Sequence, residues 1–263
     1  MKLALTGKGG VGKTTIAALF ARVLKDRGQK VILIDADPDM NLATVLGVPQ
    51  NVKVTPIVEM KELIAERTGV QPGQAAPFFK MNPRVDDIPD RYCITHRDIK
   101  LLVMGTVSKG GGGCACPENA FLKTLLSYLI VARDEWVILD MEAGIEHLGR
   151  GTSMGVDHML VVVEPNRTSL ETAERIQGLS KDLKIKQLHV VGNKIQSEED
   201  AEFLRSRLGG FSILGFVPHS NDIRRISLNL ISPFDVSGET LSPFESMIER
   251  LESMKAEGVR ISD

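Results

Sequence analysis

The segment Gly7-Lys8-Gly9-Gly10-Val11-Gly12-Lys13-Thr14-Thr15 limits what this chain can fold into more than any other. It matches G-x-x-x-x-G-K-[ST]. It directly follows the apolar run Leu3–Thr6 and precedes a helical pattern over Thr14–Leu24, the strand–loop–helix context that such a loop requires. Its glycines let backbone N–H groups turn inward around phosphate oxygens. Lys13 adds a positive charge at the outer phosphates, and the Thr14 hydroxyl is placed to ligate Mg²⁺.

The rest of the chain repeats that alternation. Val31–Ile34, Val137–Leu139, Met159–Val163 and Leu188–Val191 are short, continuous apolar runs, as parallel strands covered on both faces require. Thr168–Leu183 and Glu198–Leu208 carry helical periodicity between them. The expected fold class is α/β: a doubly wound, mostly parallel sheet with helices on both faces. A single domain over residues 1–263 is expected. Gln71–Pro89, rich in Pro and Gly, reads as a loop excursion, and Lys109–Gly113 (KGGGG) cannot hold regular structure alone.

Composition narrows the function. Lys and Arg number 32 against 34 Asp and Glu, a net charge of −2 that calls for neither a nucleic acid nor an acidic membrane. Aromatics are only 5%, which argues against base-stacking platforms. No secretory leader and no apolar stretch long enough to span a bilayer is seen. Three cysteines cannot build a disulfide framework, so a cytoplasmic location is expected.

Lys8 is a second lysine, early in the loop, badly placed to curl back onto its own phosphates and able to reach those of a facing subunit. This K-G-G-x-G-K-T-T pattern resembles the deviant P-loop ATPases of the MinD/ParA/nitrogenase iron protein class. There, the signature lysine crosses the interface of a nucleotide-sandwich homodimer. The resemblance implies that Lys8, Gly9, Gly10, Val11, Gly12, Lys13, Thr14 and Thr15 bind ATP or ADP with Mg²⁺. It matches Asp35-Ala36-Asp37-Pro38-Asp39 to switch I, with Asp37 positioning or activating the attacking water. Asp35, Asp37 and Asp39 are also residues that close turns or cap helices. Asp140, ending a strand, gives the Walker B pattern and would hold Mg²⁺ directly or through water. Gly144 would be the switch II hinge that senses the γ-phosphate. Asn193 would read adenine, although a strand-end Asn is equally a turn residue, and Pro218 would line the adenine side.

Cys114-Ala115-Cys116 decides what such a dimer carries. In an extended segment, residues i and i+2 point to one side, so two thiolates can converge on one metal. Two are too few for a closed tetrahedral site, and a twofold dimer supplies four. Two buried structural thiols are the alternative. Cys93 has no partner in sequence and reads as structural. His96, His147, His158, His189 and His219 are scattered and read as surface or core residues. The C-x-C-x-ENAFL block around Cys114–Leu122 and A-G-I-E-H-L at Ala143–Leu148 resemble the CooC-type ATPases that help load nickel into carbon monoxide dehydrogenase. That resemblance implies a homodimeric ATPase with a Ni²⁺ or Zn²⁺ site between subunits and carbon monoxide dehydrogenase or acetyl-CoA synthase as client.

Three rival functions fit less well. A membrane-positioning ATPase needs a basic amphipathic tail, but Phe244–Lys255 carries more acids than bases and Phe244, Met247, Ile248 and Leu251 suit a core-facing helix. A DNA-partitioning ATPase is disfavoured by the near-neutral charge. An iron–sulfur reductase or cluster carrier fits poorly too: nitrogenase-type reductases place single, well-separated cysteines in two segments and cluster-carrier ATPases use C-x-x-C rather than C-x-C, although four thiolates also suit a [4Fe–4S] cluster.

Overall fold

The computed structural model describes residues 1–70, 78–105, 116–142, 155–183, 185 and 187–260, the last five by backbone only. Eight strands form one sheet: β1 (Lys2–Thr6), β2 (Val31–Ala36), β3 (Ile94–His96), β4 (Ile99–Val103), β5 (Trp136–Met141), β6 (His158–Val163), β7 (Leu188–Ile195) and β8 (Ser212–Pro218). Their spatial order is β3-β4-β2-β5-β1-β6-β7-β8. Every pairing is parallel except β3 with β4. The expected doubly wound, mostly parallel sheet is what the chain builds.

The described helices are α1 (Lys13–Asp26), α2 (Leu42–Leu46), α3 (Lys61–Thr68), α4 (Ile88–Tyr92), α5 (Pro117–Val131), α6 (Arg167–Asp182), α7 (Glu198–Arg207), α8 (Asn221–Ser227) and α9 (Gly238–Arg260). They divide the apolar core into two clusters, one on each face of the sheet. On one face, Phe20 of α1 meets Phe244 of α9 edge to face, with ring centroids 5.4 Å apart. Phe121, Leu125 and Leu129 of α5, Ile176 of α6 and Leu204 of α7 pack on the other. Central strands covered on both sides are buried along their whole length, which is why their sequences are continuous apolar runs. Phe244, Met247, Ile248 and Leu251 are all buried, so α9 spends its apolar face on the core.

Several details depart from the sequence expectation. The β3–β4 hairpin and the short helices α2, α3, α4 and α8 are not marked by any long periodic run. The expected loop excursion at Gln71–Pro89 gives way to α4 at Ile88, with Pro89 in the first turn, where its missing N–H costs nothing. Two of the five scattered histidines meet in the core: His158 Nδ1 lies 3.1 Å from His189 Nε2, and His189 Nδ1 lies 3.0 Å from Ser212 Oγ. Burial first, then the neighbouring His158 and Arg250, push His189 down to about 4. Cys93 is half-buried, and burial pushes its thiol up to about 12, in keeping with a structural role. Among the described residues, no helix is long and apolar enough to cross a membrane.

Candidate functional site

Strand order decides where a ligand can sit. β1 lies between β5 and β6: the chain leaves β1 toward β2 on one side and later crosses from β5 to β6 on the other, so the winding reverses there. The crevice at the carboxyl ends of the strands opens at that point. The glycine-rich loop leaves β1 there and runs directly into α1. Gly12, the N-cap of α1, has φ 95° and carries no side-chain cap. The first-turn N–H groups of α1 therefore remain without a capping side chain, at the positive end of the helix dipole.

Around that loop the structure gathers most of the expected residues. The Lys13 side chain is almost fully buried. Its Nζ lies 3.8 Å from Asp37 Oδ2 and 3.5 Å from the Lys8 carbonyl oxygen. Asp37 stands on the turn after β2. Asp35, fully buried, braces that turn: its carboxylate accepts from the Asp37 N–H at 3.2 Å and from the Leu42 N–H at 3.0 Å. Asp35 and Asp37 both take a turn-closing role, since Asp37 Oδ1 accepts from the Asp39 N–H at 3.1 Å, while Asp39 lies exposed. Burial pushes Asp35 up to about 6, against the pull of those two N–H groups.

Asp140 pairs with Asp35 across the β2–β5 ladder. The strand continues one residue past Asp140. Its two carboxylate oxygens are buried and have no hydrogen-bond partner. Burial pushes the Asp140 carboxyl up to about 7; the nearby Thr14 hydroxyl and Lys13 pull it down, while Asp35 and Asp37 push it up. A buried carboxylate with both oxygens unspent, beside a threonine hydroxyl, is the hard-oxygen donor set that Mg²⁺ takes.

Lys8 extends away from its own loop and donates to Thr168 Oγ1 at 2.7 Å. Thr168 donates to Asn166 Oδ1, Asn166 Nδ2 donates to Glu164 Oε2, and Lys194 Nζ donates to Glu164 Oε1 and to the Gly10 carbonyl oxygen. Lys194 and Thr168 were not among the expected site residues, because nothing local marks a lysine or threonine that is bonded to a distant loop.

The expected adenine reader lies against the phosphate loop. Asn193 is buried beneath the phosphate loop, where its Nδ2 donates to the Val11 carbonyl oxygen at 2.7 Å. Pro218, at the end of β8, lines a cavity of about 340 Å³ with Ser220, Asn221, Asp222, Thr240 and Pro243. Cys116 is the half-buried, extended N-cap of α5. Cys114, the glycines at 110–113 and Gly144 lie outside the described residues. Among the described residues, no group of three or more His, Cys, Asp or Glu is placed to hold a metal.

Residues 3–233 match the family model of the CobQ/CobB/MinD/ParA nucleotide binding domain. The chain is 47% identical over 239 residues to the carbon monoxide dehydrogenase accessory protein CooC of Rhodospirillum rubrum, covering 90% of each protein. The chain belongs to the CooC group of the CobQ/CobB/MinD/ParA family. It is a nucleotide-binding ATPase of that class. An ATP-binding protein of Methanocaldococcus jannaschii is 43% identical over 258 residues, covering 97% of this chain and 99% of that protein. Among solved structures, MinD in the MinC:MinD complex of Aquifex aeolicus superposes with a TM-score of 0.68 at 22% identity, covering 96% of each chain. The septum site-determining protein MinD with Mg-ADP from Pyrococcus horikoshii superposes with a TM-score of 0.63 at 17% identity, covering 97% of each chain. At those identities the likeness to MinD is one of fold.

Proposed function

We propose that this ATPase is a homodimeric metallochaperone that delivers nickel to carbon monoxide dehydrogenase or acetyl-CoA synthase in the cytoplasm. In this reading, residues 1–263 act as one P-loop domain. The observation that carries the reading is the sequence Cys114-Ala115-Cys116, in a chain 47% identical to a carbon monoxide dehydrogenase accessory protein. The nickel ion is the cargo. Each subunit contributes two thiolates, and the twofold axis of an ATP-bound dimer brings the pairs together as four sulfurs. The position of Cys116 at the N-cap of a 15-residue helix favours an anionic sulfur there. Ni²⁺ and Zn²⁺ both accept thiolates, so affinity by itself does not choose between them.

In the ATPase cycle, Lys13 and the glycine-rich loop bind the phosphates, and Asp37 orients the attacking water. Asp140 and Thr14 hold Mg²⁺, which supplies positive charge to the phosphate oxygens. Pro218 and the cavity beside it take the base. Gly144 reports the γ-phosphate to switch II. Lys8 leaves Thr168 and crosses to the phosphates of the facing subunit. Lys8→Ala should then weaken dimerisation in the presence of a non-hydrolysable ATP analogue while sparing most single-subunit nucleotide affinity. Sedimentation would detect this, and an unchanged dimer would remove the trans role.

Coupling of ATP to cargo requires different metal affinity in the two nucleotide states. The test is a nickel titration of the wild type, Cys114→Ser and Cys116→Ser, each with ADP and with an ATP analogue. The wild type should bind one nickel per dimer, and each substitution should lower that affinity at least ~100-fold with nucleotide binding intact. Unchanged stoichiometry in both variants would sink the metal site. Equal affinity in both nucleotide states would leave the site but remove ATP-driven release. Iron and sulfide in anaerobically purified protein would point to a cluster instead.

A further inference from the structure

We infer that Asn193 and Lys194 are positioning residues of the phosphate loop: they aim its N–H groups at phosphate, and their contribution to nucleotide affinity does not depend on the base. The inference rests on the ATPase fold and not on the metal reading. Two consecutive side chains at the end of β7 hold two consecutive carbonyls of the loop. Lys194 Nζ donates to the Gly10 oxygen at 2.9 Å, and Asn193 Nδ2 donates to the Val11 oxygen at 2.7 Å.

In a planar trans peptide the C=O and N–H point in opposite directions. Tying the Gly10 carbonyl outward therefore turns the Val11 N–H inward, and tying the Val11 carbonyl outward does the same for the Gly12 N–H. The Val11 N–H makes only a long contact across the loop, 3.4 Å to the Lys8 carbonyl oxygen, which a phosphate oxygen can displace.

Three further observations show that the clamp is built into the fold. Gly12 leaves no room between loop and amide, because a Cβ there would lie 2.5 Å from Asn193 Nδ2. Lys194 takes a left-handed backbone, φ 60°, just where the β7–β8 register shifts, and this turns its side chain back over the loop. Glu164 holds the Lys194 ammonium at 2.5 Å and is itself held by Asn166, so the lysine has a fixed counter-charge. Asn193 is 2% exposed, and its Nδ2 is committed to the loop. Its Oδ1 is buried without a partner, so contact with the base is the rival role that the experiment must detect.

The experiment measures displacement of a fluorescent ADP by ADP, by IDP, whose base lacks the adenine amino group, and by inorganic tripolyphosphate, which has no base. Wild type, Asn193→Ala and Lys194→Gln are compared. Asn193→Ala should weaken all three ligands by the same factor, about tenfold, the size of one lost hydrogen bond to a constrained group. Lys194→Gln should weaken them about threefold. In steady state the KM for MgATP should rise in both variants, with kcat changed less than about twofold. A loss for ADP that exceeds the loss for tripolyphosphate more than fivefold would make Asn193 a base reader and overturn the proposal. Unchanged affinity for all three ligands would also overturn it. If Asn193→Ala does not fold, Lys194→Gln decides alone, because its side chain is 45% exposed and tolerates exchange.

Discussion

Asp37→Ala is expected to bind ATP at least as tightly as the wild type and to hydrolyse it about 1,000-fold more slowly. The two halves of that expectation have different causes. In phosphoryl transfer most of the catalysis is positioning and charge stabilisation, and a carboxylate within one water of the γ-phosphate orients the nucleophile. Asp37 stands on a turn that Asp35 braces, and its carboxylate is itself held, by the Asp39 N–H at 3.1 Å on Oδ1 and by Lys13 at 3.8 Å from Oδ2. On the proposed assignment, removing it takes away the group that orients the water. Binding is spared because Asp37 is also the partner of Lys13 in this state, at 3.8 Å. ATP must compete with that carboxylate for the ammonium, and in the variant it does not. Lys13→Ala is the matched control and should lose at least ~100-fold in affinity for ATP. Equilibrium binding and single-turnover hydrolysis separate the two effects. Wild-type turnover in Asp37→Ala would end the assignment.

Asp140→Asn is expected to raise the melting temperature of the nucleotide-free protein and to remove Mg²⁺-dependent hydrolysis. Asp140 carries two buried oxygens without partners, and burial pushes its carboxyl up to about 7 from the ordinary 3.8. A carboxyl whose folded value lies above its unfolded value makes the protein less stable as pH rises through that window. Below about 4 both states hold the proton and the cost is absent; above about 7 the cost is complete. Asn keeps the shape and carries no charge. The gap in melting temperature between variant and wild type should therefore be near zero at low pH and widest at pH 8. An upper bound of ~4 kcal/mol follows from ~1.4 kcal/mol per pH unit, and about half of that, or ~5 °C, is expected after relaxation. Mg²⁺ with ADP should stabilise the wild type strongly and the variant little. Equal melting at pH 8, or hydrolysis above a tenth of wild type, would remove Asp140 from the site. The arrangement is a trade of stability for function: the same unspent oxygens that cost the empty protein are the ones a cation needs.

Much of this was legible without coordinates, because it was written locally. A glycine-rich loop between an apolar run and a helical pattern names its own conformation, and β1, α1 and Lys13 follow from it. The central strands were legible for a related reason: burial on both faces leaves no polar alternation, so each is an unbroken apolar run. Short elements were not legible. β3 is three residues long and α8 seven, about two turns, and packing supports them rather than any pattern of their own.

What only the tertiary structure decided is which distant residues meet. The strand-end position of Asn193 gives no sign of its bond to the phosphate loop; the packing of β7 under the loop puts its amide on the Val11 carbonyl, 182 residues away. Lys194, Glu164, Asn166 and Thr168 form one chain of hydrogen bonds reaching Lys8 only because β6 and β7 end side by side. His158 and His189 meet in the core because β6 and β7 also begin side by side. The sequence by itself determined each element's periodicity and the chemistry of the loop, since those depend on neighbours along the chain. Strand order and register determined the contacts across the sheet, and a side chain's hydrogen-bonding partner depends on that order, which no local pattern encodes.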